Sequence, residues 1–389
     1  MIRGWCPTLY EPMATGDGLL VRVKPPGGRL SSASARVLAR RAARFGNGIV
    51  ELTGRGNLQI RGLDAAGAPR FAASMVAAGL ASADAGFERR RNVMALPLGG
   101  DDPTAAGDAD ALAAALAAML EAEPTLAALP PKFDFAVDGG GVLALPDAAD
   151  IAVETDGERH WIRLGGWRAG CAPDATVGLA RDLARAAGGR RMRDCDARAM
   201  FAAVGLAAIE PSAPAPAAAP VGFTAYPGTR RGAFGVGLPF GQTDAATLEA
   251  LADLADRFGD GALRVSPWRA VLLGGVRARD AAALRDAAAA GLIADPADRR
   301  LSMAACIGSA GCASGTVRAR EDAAALANAG WTGFLHVSGC AKGCAHPGVA
   351  PVALVGDGGR YRLVRDGHAD VAGLSVQQAA ACLGHQCLA

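Results

Sequence analysis

The hydrophobic and polar positions of the chain follow one pattern twice. Residues 35–63 and residues 248–276 each begin with an apolar stripe at helical spacing, continue through a Gly-Asn-Gly or Gly-Asp-Gly break, and end in alternation. The two segments align with Arg44 on Arg257, and a strand-like segment precedes each of them, at Gly18–Lys24 and at Gly232–Pro239. The pattern predicts a duplicated strand–helix–strand unit, which is typical of α/β sandwiches.

A second repeat lies between and after these units. Residues 150–165 and 351–365 are each predicted to form a hairpin with an Asp-Gly turn. In the same repeat, the strand-like segment Phe133–Gly140 aligns with Gly333–Cys340. We therefore predict an α+β fold with the duplicated order a–b–a′–b′. The predicted domains are 1–85 and 222–295 for the a units and 86–210 and 296–389 for the b units, with a Pro/Ala linker at 211–221.

Composition and charge narrow the class of protein. Of the 389 residues, 51% are hydrophobic and 20% are charged, which is typical of a globular chain. The formal net charge of +2 gives no overall attraction for nucleic acid or for an anionic membrane. The N-terminal stretch lacks the apolar core of a signal peptide, and no uninterrupted run of about eighteen apolar residues occurs. We expect a cytoplasmic protein that binds neither nucleic acid nor membrane.

Four of the nine cysteines form a pattern in the last quarter of the chain. They stand as C-x5-C at Cys306 and Cys312 and as C-x3-C at Cys340 and Cys344, within glycine-rich segments. Four thiolates are typical ligands of an iron–sulfur cluster, and glycines let backbone N–H groups point at its sulfur atoms. Zinc is the alternative, although it usually has tighter C-x2-C spacings. The remaining five show no pairing pattern and are interpreted as isolated thiols: Cys6, Cys171, Cys195, Cys382 and Cys387.

The segment Leu52–Arg61 alternates between polar and apolar residues. As one continuous strand it would place its polar side chains on one face and its leucine and isoleucine side chains on the other. A wholly polar face within a duplicated apolar fold indicates the lining of a site, and a solvated sheet face is the alternative. The polar face would carry Thr53, Arg55, Asn57, Gln59 and Arg61.

The cysteine pattern and the a–b–a′–b′ order together resemble the sirohaem-dependent sulfite and nitrite reductases. Three further segments resemble motifs of that superfamily: residues 53–59 its T-x-R-x-x-x-Q strand, residues 91–93 its R-N-V segment, and residues 130–134 its P-R-K-F-K segment. The resemblance implies ferredoxin-like half-domains for the a units and a 4Fe-4S cluster on the four cysteines, with Cys344 as the residue that bridges to a sirohaem iron. The implied tetrapyrrole-binding or substrate-binding residues are Arg55, Asn57, Arg61, Arg91 and Lys132.

One position departs from the reductase pattern. Asp134 stands where the second lysine of P-R-K-F-K would be, so a positive charge is replaced by a negative one. We expect this carboxylate to repel sulfite or nitrite in a pocket of low polarity, which disfavours the reduction of an inorganic anion. A sirohaem-dependent nitrite or sulfite reductase is nevertheless the first alternative. A non-catalytic electron carrier is the second, but a carrier would not need a strand with a polar face.

The precorrin-3B synthase family gives a closer resemblance, in residues 3–7, 12–20, 44–48 and 340–344. This family hydroxylates precorrin-3A at C20 with O2 and closes a γ-lactone, in aerobic cobalamin biosynthesis. The resemblance implies precorrin-3A and O2 as substrates. It also implies a mononuclear non-haem iron, for which His346 is our candidate ligand or active-site neighbour, with a structural loop histidine as the alternative. Because Gly235–Gly241 does not follow the dinucleotide-binding fingerprint, electrons from NADH are expected to arrive through a separate reductase.

Overall fold

The computed structural model describes residues 6–146, 149–210, 220–289, 291–346 and 348–384. Within these residues the chain forms four five-stranded sheets with flanking helices, which confirms the predicted α+β class. The strands of the first half are β1 (Met13–Thr15), β2 (Gly18–Val23), β3 (Arg29–Ser31), β4 (Ile49–Leu52), β5 (Leu58–Leu63), β6 (Val93–Met94), β7 (Phe135–Asp138), β8 (Ile151–Thr155), β9 (His160–Leu164) and β10 (Trp167–Cys171).

The second half also contains ten strands among the described residues, and both halves contain helices. Its strands are β11 (Gly222–Ala225), β12 (Arg231–Gly237), β13 (Gln242–Asp244), β14 (Ala262–Val265), β15 (Ala270–Arg277), β16 (Met303–Ala305), β17 (Leu335–Ser338), β18 (Val352–Asp357), β19 (Arg360–Arg365) and β20 (His368–Ala369). The α-helices are α1 (Ser32–Phe45), α2 (Gly67–Ala77), α3 (Ala85–Arg90), α4 (Ala109–Ala122), α5 (Thr176–Ala186), α6 (Ala197–Ala203), α7 (Ala245–Phe258), α8 (Ala281–Ala288), α9 (Ala319–Asn328) and α10 (Val376–Gly384).

The two a units exchange a strand. Their sheets have the orders β1-β2-β5-β4-β13 and β11-β12-β15-β14-β3. Strand β13 of the second half completes the first sheet and pairs Thr243 with Val50, while β3 completes the second sheet and pairs Leu30 with Leu263. Helices α1 and α7 pack together, and apolar residues of both halves form one continuous core. The halves are therefore related by an approximate twofold axis and interlocked.

The two b units each form a separate sheet, in the orders β10-β9-β8-β7-β6 and β16-β17-β18-β19-β20. Strands β7 and β17 lie at the equivalent positions that the second repeat predicted, and each pairs in parallel with both neighbours. The predicted hairpins β8–β9 and β18–β19 are also formed. In the second hairpin Asp357 pairs with Arg360, so Gly358 and Gly359 occupy the turn in place of the predicted Asp357-Gly358.

The predicted polar-faced strand is interrupted by a turn between β4 and β5. The N–H of Thr53 donates to the Asn57 carbonyl at 2.9 Å, and the N–H of Gly56 donates to the Thr53 carbonyl at 3.1 Å. Gly56 has a φ of 63°, in the left-handed region that favours glycine. The prediction of one continuous strand was wrong because the alternation of residue types runs on across the turn. Arg61 still lies on a strand, whereas Arg55 and Asn57 lie in the turn.

Other organisational predictions have mixed outcomes. Residues 211–219 of the predicted linker lie outside the described residues, and the proposed domain limits remain predictions. Four of the isolated cysteines, Cys6, Cys171, Cys195 and Cys382, are free thiols, and Cys387 lies outside the described residues. In the described part of the chain, no helix combines the length and the apolar character needed to cross a bilayer.

Candidate functional site

The four cysteines of the predicted cluster lie in loops at one edge of the last sheet. Strand β16 ends at Ala305, directly before Cys306, and its parallel neighbour β17 ends at Ser338, two residues before Cys340. The pairing continues past the strand end, since the Cys306 N–H donates to the Val337 carbonyl at 3.3 Å. The parallel order of the strands thus brings the C-x5-C and C-x3-C loops to the same edge.

The loops approach each other so closely that glycine is required where they touch. The Gly339 N–H donates to the Cys306 Sγ at 3.0 Å. A Cβ on Gly339 would lie 2.7 Å from the Cα of Gly308, and a Cβ on Gly315 would overlap the Gly308 carbonyl. Backbone N–H groups directed at ligand sulfurs are among the hydrogen bonds by which a protein tunes an iron–sulfur cluster.

The four thiols are near enough to influence one another electrostatically. Burial raises the pKa of the Cys344 thiol, and Cys306, Cys340 and Cys312 raise it further. Across the described residues, no three His, Cys, Asp or Glu side chains converge as ligands of a single metal ion. Four thiols at one edge of the sheet, with a backbone N–H directed at Cys306, suit the donor set of a 4Fe-4S cluster. The cluster itself stays a prediction, and zinc stays its alternative.

A cavity of about 320 Å³ adjoins these loops, where the a units meet the last sheet. Cys306 and Cys344 form part of its wall, so a bound ligand would touch the cysteine loops. Its other charged or amide-bearing lining residues are Arg22, Glu51, Gln59, Arg61, Arg269 and Arg320. Four cations face one carboxylate in this wall, so the cavity suits a ligand with several negative groups.

Arg61 joins the first half of the chain to the cysteine loops. Its guanidinium donates to the Asp17 carboxylate at 3.0 and 2.9 Å and to the Gly311 carbonyl, beside Cys312, at 2.7 Å. Burial acts to lower the pKa of Arg61, but Asp17 and Glu51 outweigh it and raise that pKa above its usual value. Because most of its donors are used inside the protein, Arg61 positions the loop as well as lining the cavity.

Arg269 and Arg320 were not predicted from the sequence. Arg320 pairs with Glu51 at 2.7 Å and donates to the side-chain oxygen of Gln242. Arg269 donates through Nη2 to the Ala345 carbonyl at 2.9 Å, directly after Cys344 in the chain. Burial lowers the pKa of Arg269, and the charge of Arg320 adds to that effect. The two cations thus stand close together at the entrance to the cysteine loops.

Arg22 is the third residue that sequence reasoning missed. It lines the same cavity, and its Nε is buried without a hydrogen-bond partner. A signal for it was present, because Arg22 is the one charged residue in the otherwise apolar strand β2. A charge at such a position indicates a partner or ligand inside the fold.

A second cavity, of about 570 Å³, contains most of the other predicted residues and none of the four cysteines. Arg55, Asn57 and Arg91 line it, whereas the half-buried Lys132 lines neither of these two cavities. Residues 53–54 face the smaller cavity and residues 55–57 face the larger one, so the turn is the wall between them. The predicted substrate-binding residues are therefore divided between the two sides of one turn.

The cations of the larger cavity have partners within the protein. Arg91 pairs with Glu88 at 2.9 Å, and Arg29 pairs with Asp110 at 3.2 Å. Lys24 donates to backbone carbonyls at 2.7 and 3.1 Å, and burial lowers its pKa to about 7. Three of the four cations that line the larger cavity thus have a carboxylate partner, since Arg55 pairs with Asp134, whereas two of the four arginines of the smaller cavity have one.

Asp134 is buried and forms an ion pair with Arg55. The backbone N–H of Asp134 and that of Asp150 each donate to the other's carboxylate, at 3.1 and 3.2 Å, and Arg191 donates to Asp150 at 2.7 Å. Burial raises the pKa of Asp134 to about 6, even though the charge of Arg55 lowers it. Asp134 lines neither cavity and its carboxylate offsets the charge of Arg55, so the expected repulsion of sulfite or nitrite stays a prediction.

His346 lies beside the cysteine loops but lines neither of these cavities. Its ring centroid is 4.8 Å from that of Phe334 and 5.8 Å from that of His336. Burial lowers the pKa of His336 to about 4, and its Nε2 has no hydrogen-bond partner. Among the residues described, these two histidines have no third ligand with which to bind a single ion. The role of His346 therefore stays a prediction.

Comparisons with known proteins extend this geometry. The family described as Nitrite/Sulfite reductase ferredoxin-like half domain matches residues 11–78 and 228–291, which belong to the two a units. A precorrin-3B synthase of Sinorhizobium sp is 36% identical over 395 residues, covering 95% of this chain and 84% of that protein. A ferredoxin–nitrite reductase of Synechococcus elongatus is 27% identical over 416 residues, covering 90% of this chain and 78% of that protein. The structure of the Mycobacterium tuberculosis NirA protein has a TM-score of 0.69 at 20% identity, covering 91% of this chain and 76% of that chain.

The interlocked a units, the paired b sheets and the matching half-domain family define an oxidoreductase of the sulfite/nitrite reductase superfamily. Its similarity to the Sinorhizobium protein extends along nearly the whole chain. The chain belongs to the precorrin-3B synthase family. Both the superfamily and the family resemblance predicted from the sequence are thereby confirmed.

Proposed function

We propose that this protein catalyses the O2-dependent hydroxylation of precorrin-3A at C20 with γ-lactone formation, in aerobic cobalamin biosynthesis. The observation that carries the proposal is the smaller cavity, where four arginines and two of the predicted cluster cysteines share one wall. The name of the Sinorhizobium relative, at 36% identity over 95% of this chain, supports a precorrin substrate. Nitrite reductases are similar at lower identity, 27% for the Synechococcus protein, which favours the tetrapyrrole reaction.

Precorrin-3A carries acetate and propionate groups around its macrocycle, and guanidinium forks bind carboxylates through paired hydrogen bonds. Within the described residues, Arg22 forms no ion pair with a carboxylate, so it is available to substrate carboxylates. Arg61 and Arg320, which have Asp17 and Glu51 as partners, hold the wall of the cavity in place. These residues together bind the substrate and fix its orientation at the cysteine loops.

The remaining predicted contacts extend this site across the turn. We propose that Arg55, Asn57, Arg91 and Lys132 contact the substrate more weakly. Asp134 already offsets the charge of Arg55, and Glu88 offsets that of Arg91. An arginine with an internal carboxylate partner gains less from a second carboxylate, because part of its charge is already neutralised.

We further propose that Cys306, Cys312, Cys340 and Cys344 hold a 4Fe-4S cluster. When bound, such a cluster supplies electrons one at a time, which no ordinary side chain can do. In the overall balance, one atom of O2 enters the product and the other leaves as water, so two electrons and two protons are consumed. The protein's part is to bind the macrocycle against the cysteine loops.

Two expectations from the family resemblance are treated separately. The described residues provide no group of three ligands for a mononuclear iron, so we derive no step from such an iron. Electrons from NADH are proposed to arrive through a separate reductase, because β12 ends at Gly237 and leads through a tight turn at Pro239–Gly241 into strand β13, whereas a dinucleotide-binding strand leads directly into a helix. Reduction of the purified cluster by NADH alone would contradict the need for this partner.

Turnover with isotopically labelled oxygen tests the proposed reaction. Protein with a reconstituted cluster is mixed with precorrin-3A, NADH, a flavin reductase and oxygen-18 gas. Mass spectrometry should detect one labelled oxygen in the product, and no product should form without O2. Nitrite and sulfite given to the same preparation should remain unreduced. Reduction of either anion, together with sirohaem in an acid–acetone extract, would replace the proposal with the reductase alternative.

A further inference from the structure

Three non-glycine residues of the described chain have a positive φ: Phe240 at 53°, Arg269 at 58° and Asp366 at 46°. This left-handed region is unfavourable for residues with a Cβ, and such strain concentrates at functional sites. Two of the three, Phe240 and Arg269, line the cavity beside the cysteine loops. Asp366 lies in the exposed turn between β19 and β20.

Because the chain is duplicated, each strained residue of the second a unit can be compared with the residue at the equivalent backbone position in the first. In the alignment of the two a units, Phe240 corresponds to Gly27 and Arg269 to Gly56, and these glycines have φ values of 59° and 63°. Glycine adopts this conformation without strain. The fold therefore needs no side chain at either position, and the second copy carries a strained side chain at both.

Packing accounts for the first of these residues but not for the second. Phe240 is buried in the hydrophobic core of the last sheet, so the burial of its ring offsets the backbone strain. Arg269 is half-buried and lies in the cavity wall, where its Nη2 donates to the Ala345 carbonyl. What the side chain adds at this strained position is therefore a guanidinium in the cavity wall.

The guanidinium of Arg269 is held in place but lacks a counter-charge. Its Nη2 donates to the Ala345 carbonyl at 2.9 Å, next to Cys344, which leaves its other N–H groups for a ligand. Glu51, the one carboxylate among the described residues of this cavity wall, is already paired with Arg320 at 2.7 Å. A fixed guanidinium without a carboxylate partner, in the wall of a basic cavity, is suited to binding a carboxylate from a ligand.

We propose that Arg269 is a substrate-binding residue that receives an acetate or propionate carboxylate of the tetrapyrrole. The contact would hold that edge of the macrocycle against the loop of Cys344. This inference rests on the proposed function, because it takes precorrin-3A as the ligand. It explains why the second copy tolerates strain at a position where the first copy has glycine.

Two substitutions at this position separate the side chain from the backbone. Arg269→Gly and Arg269→Ala both remove the guanidinium, but only the alanine variant retains the left-handed strain, so the glycine variant should have the higher Tm. Binding of precorrin-3A to the cluster-loaded protein is measured by anaerobic optical titration. Both variants should bind about tenfold or more weakly than the wild type. Arg269→Lys keeps the positive charge but lacks the planar guanidinium fork. Its affinity for precorrin-3A should therefore lie between that of the wild type and that of the glycine and alanine variants.

Asp366 offers a matched control, since it has the same backbone conformation in an exposed turn that lines neither cavity. Asp366→Gly and Asp366→Ala should show the same order of Tm values, although with a smaller difference because aspartate tolerates this region better than most residues. Both control variants should bind precorrin-3A with wild-type affinity. If these control variants also lost affinity, a change of the backbone alone would explain the effect at Arg269. The assignment of Arg269 as a substrate-binding residue would then be overturned.

The outcomes distinguish this inference from the proposed function. Wild-type affinity in both Arg269→Gly and Arg269→Ala would overturn the assignment of Arg269 and leave the proposed reaction intact. Failure of the wild type to bind precorrin-3A would overturn the proposed function instead. Titration with uroporphyrin III, a stable tetrapyrrole with acetate and propionate groups, then tests Arg269 alone. Weaker binding in Arg269→Gly would support the carboxylate contact, whereas equal binding, or none even in the wild type, would overturn it.

Discussion

The two cavities of this protein are counterparts in the duplicated chain, yet only the smaller one meets the cysteine loops. In the alignment of the two a units, lining residues of the larger cavity correspond to lining residues of the smaller: Gly27 to Phe240, Gly56 to Arg269, Val265 to Leu52 and Pro267 to Gly54. These parts of the two walls therefore use equivalent positions of the duplicated scaffold. Their difference lies in the side chains that each copy places on it.

One pair of positions illustrates this difference in charge. In the larger cavity Arg29 forms an ion pair of 3.2 Å with Asp110, the second residue of α4. In the second copy the counterpart of Arg29 is Gln242, which accepts a hydrogen bond from Arg320, the second residue of α9. The helix position is therefore acidic in the first copy and basic in the second, where Glu51 offsets the charge of Arg320 and leaves no carboxylate in the described wall for Arg22 and Arg269. The comparison teaches that the cavity beside the cysteines is the one whose wall carries arginines without a carboxylate partner, which suits a polyanionic ligand.

The largest expected effect is the loss of the proposed cluster beside the smaller cavity when one of its cysteine ligands is removed. Cys344→Ser should lose the intact cluster and the hydroxylation of precorrin-3A together, because one iron of the proposed cluster would lose its thiolate ligand. Iron and sulfide analysis, the optical spectrum and turnover provide the measurement. Cys195→Ser, a free thiol in the first half of the chain, is the control and should retain both properties. Full activity in Cys344→Ser would refute the ligand assignment.

The next largest expected effect is the loss of stability when Arg61, which joins the first half of the chain to the cysteine loops, is removed. Arg61→Ala leaves the Asp17 carboxylate, which is 13% exposed, without its cationic partner and with only the neutral donors of Thr15 and Asn47, and it frees the Gly311 carbonyl. The free energy of unfolding should fall by about 3 kcal/mol, as is usual when one member of a buried ion pair is removed. Denaturant titration measures this change. Arg40→Ala removes the exposed ion pair with Glu249 and should leave the midpoint unchanged; an equally stable Arg61→Ala would show that the bridge is dispensable.

The buried Asp134 beside the larger cavity should make stability depend on pH. Its folded-state pKa of about 6 lies above the ordinary value of 3.8, so between these values the folded protein binds more protons than the unfolded chain. The stability of the wild type relative to Asp134→Asn should fall by about 2 kcal/mol as pH rises from about 4 to about 6, and level off above. Unfolding titrations across this range test the slope. The free energy of unfolding of Asp366→Asn should change with pH as that of the wild type does. If the stability of the wild type relative to Asp134→Asn rose with pH instead, the proposed effect of burial on Asp134 would be contradicted.

The smallest expected effect compares one arginine from each cavity. Arg22→Ala should weaken the binding of precorrin-3A about tenfold, because Arg22 has no internal carboxylate partner among the described residues. Arg55→Ala should weaken it only about threefold, since Asp134 already offsets that charge. Optical titration of the two variants side by side gives the ratio. A larger loss in Arg55→Ala would make the larger cavity the principal substrate site.

The fold and the cysteine loops could be predicted because their signals are local. Repeats in a consistent order located β7 and β17, and cysteines directly after strands that pair in parallel had to meet at one edge. The alternation of polar and apolar residues at 52–61 led to a wrong prediction. It continues across a turn that contains Gly56, although no strand forms there. The exchange of β3 and β13 was missed because each strand has only three residues.

The composition of the cavity wall could not be predicted because it depends on distant contacts. Arg269 donates to a carbonyl 76 residues away along the chain, and Arg61 donates to one 250 residues away. Such proximity follows from how the a units dock against the last sheet, and no spacing in the sequence encodes it. The counterpart glycine Gly56 is the one local signal that could have drawn attention to Arg269, because it marks a left-handed position filled by a residue with a side chain.

The exchange of β3 and β13 also governs how the chain can be assembled during synthesis. Until β13 has been translated, the edge of β4 has no partner, and an open strand edge invites pairing with other chains. The second half has a matching open edge at β14 that only the earlier-made β3 can close. Two coexpressed fragments, one ending at residue 210 and the other beginning at residue 220, would therefore complete each other's sheets. Either fragment expressed alone would keep an open edge and aggregate.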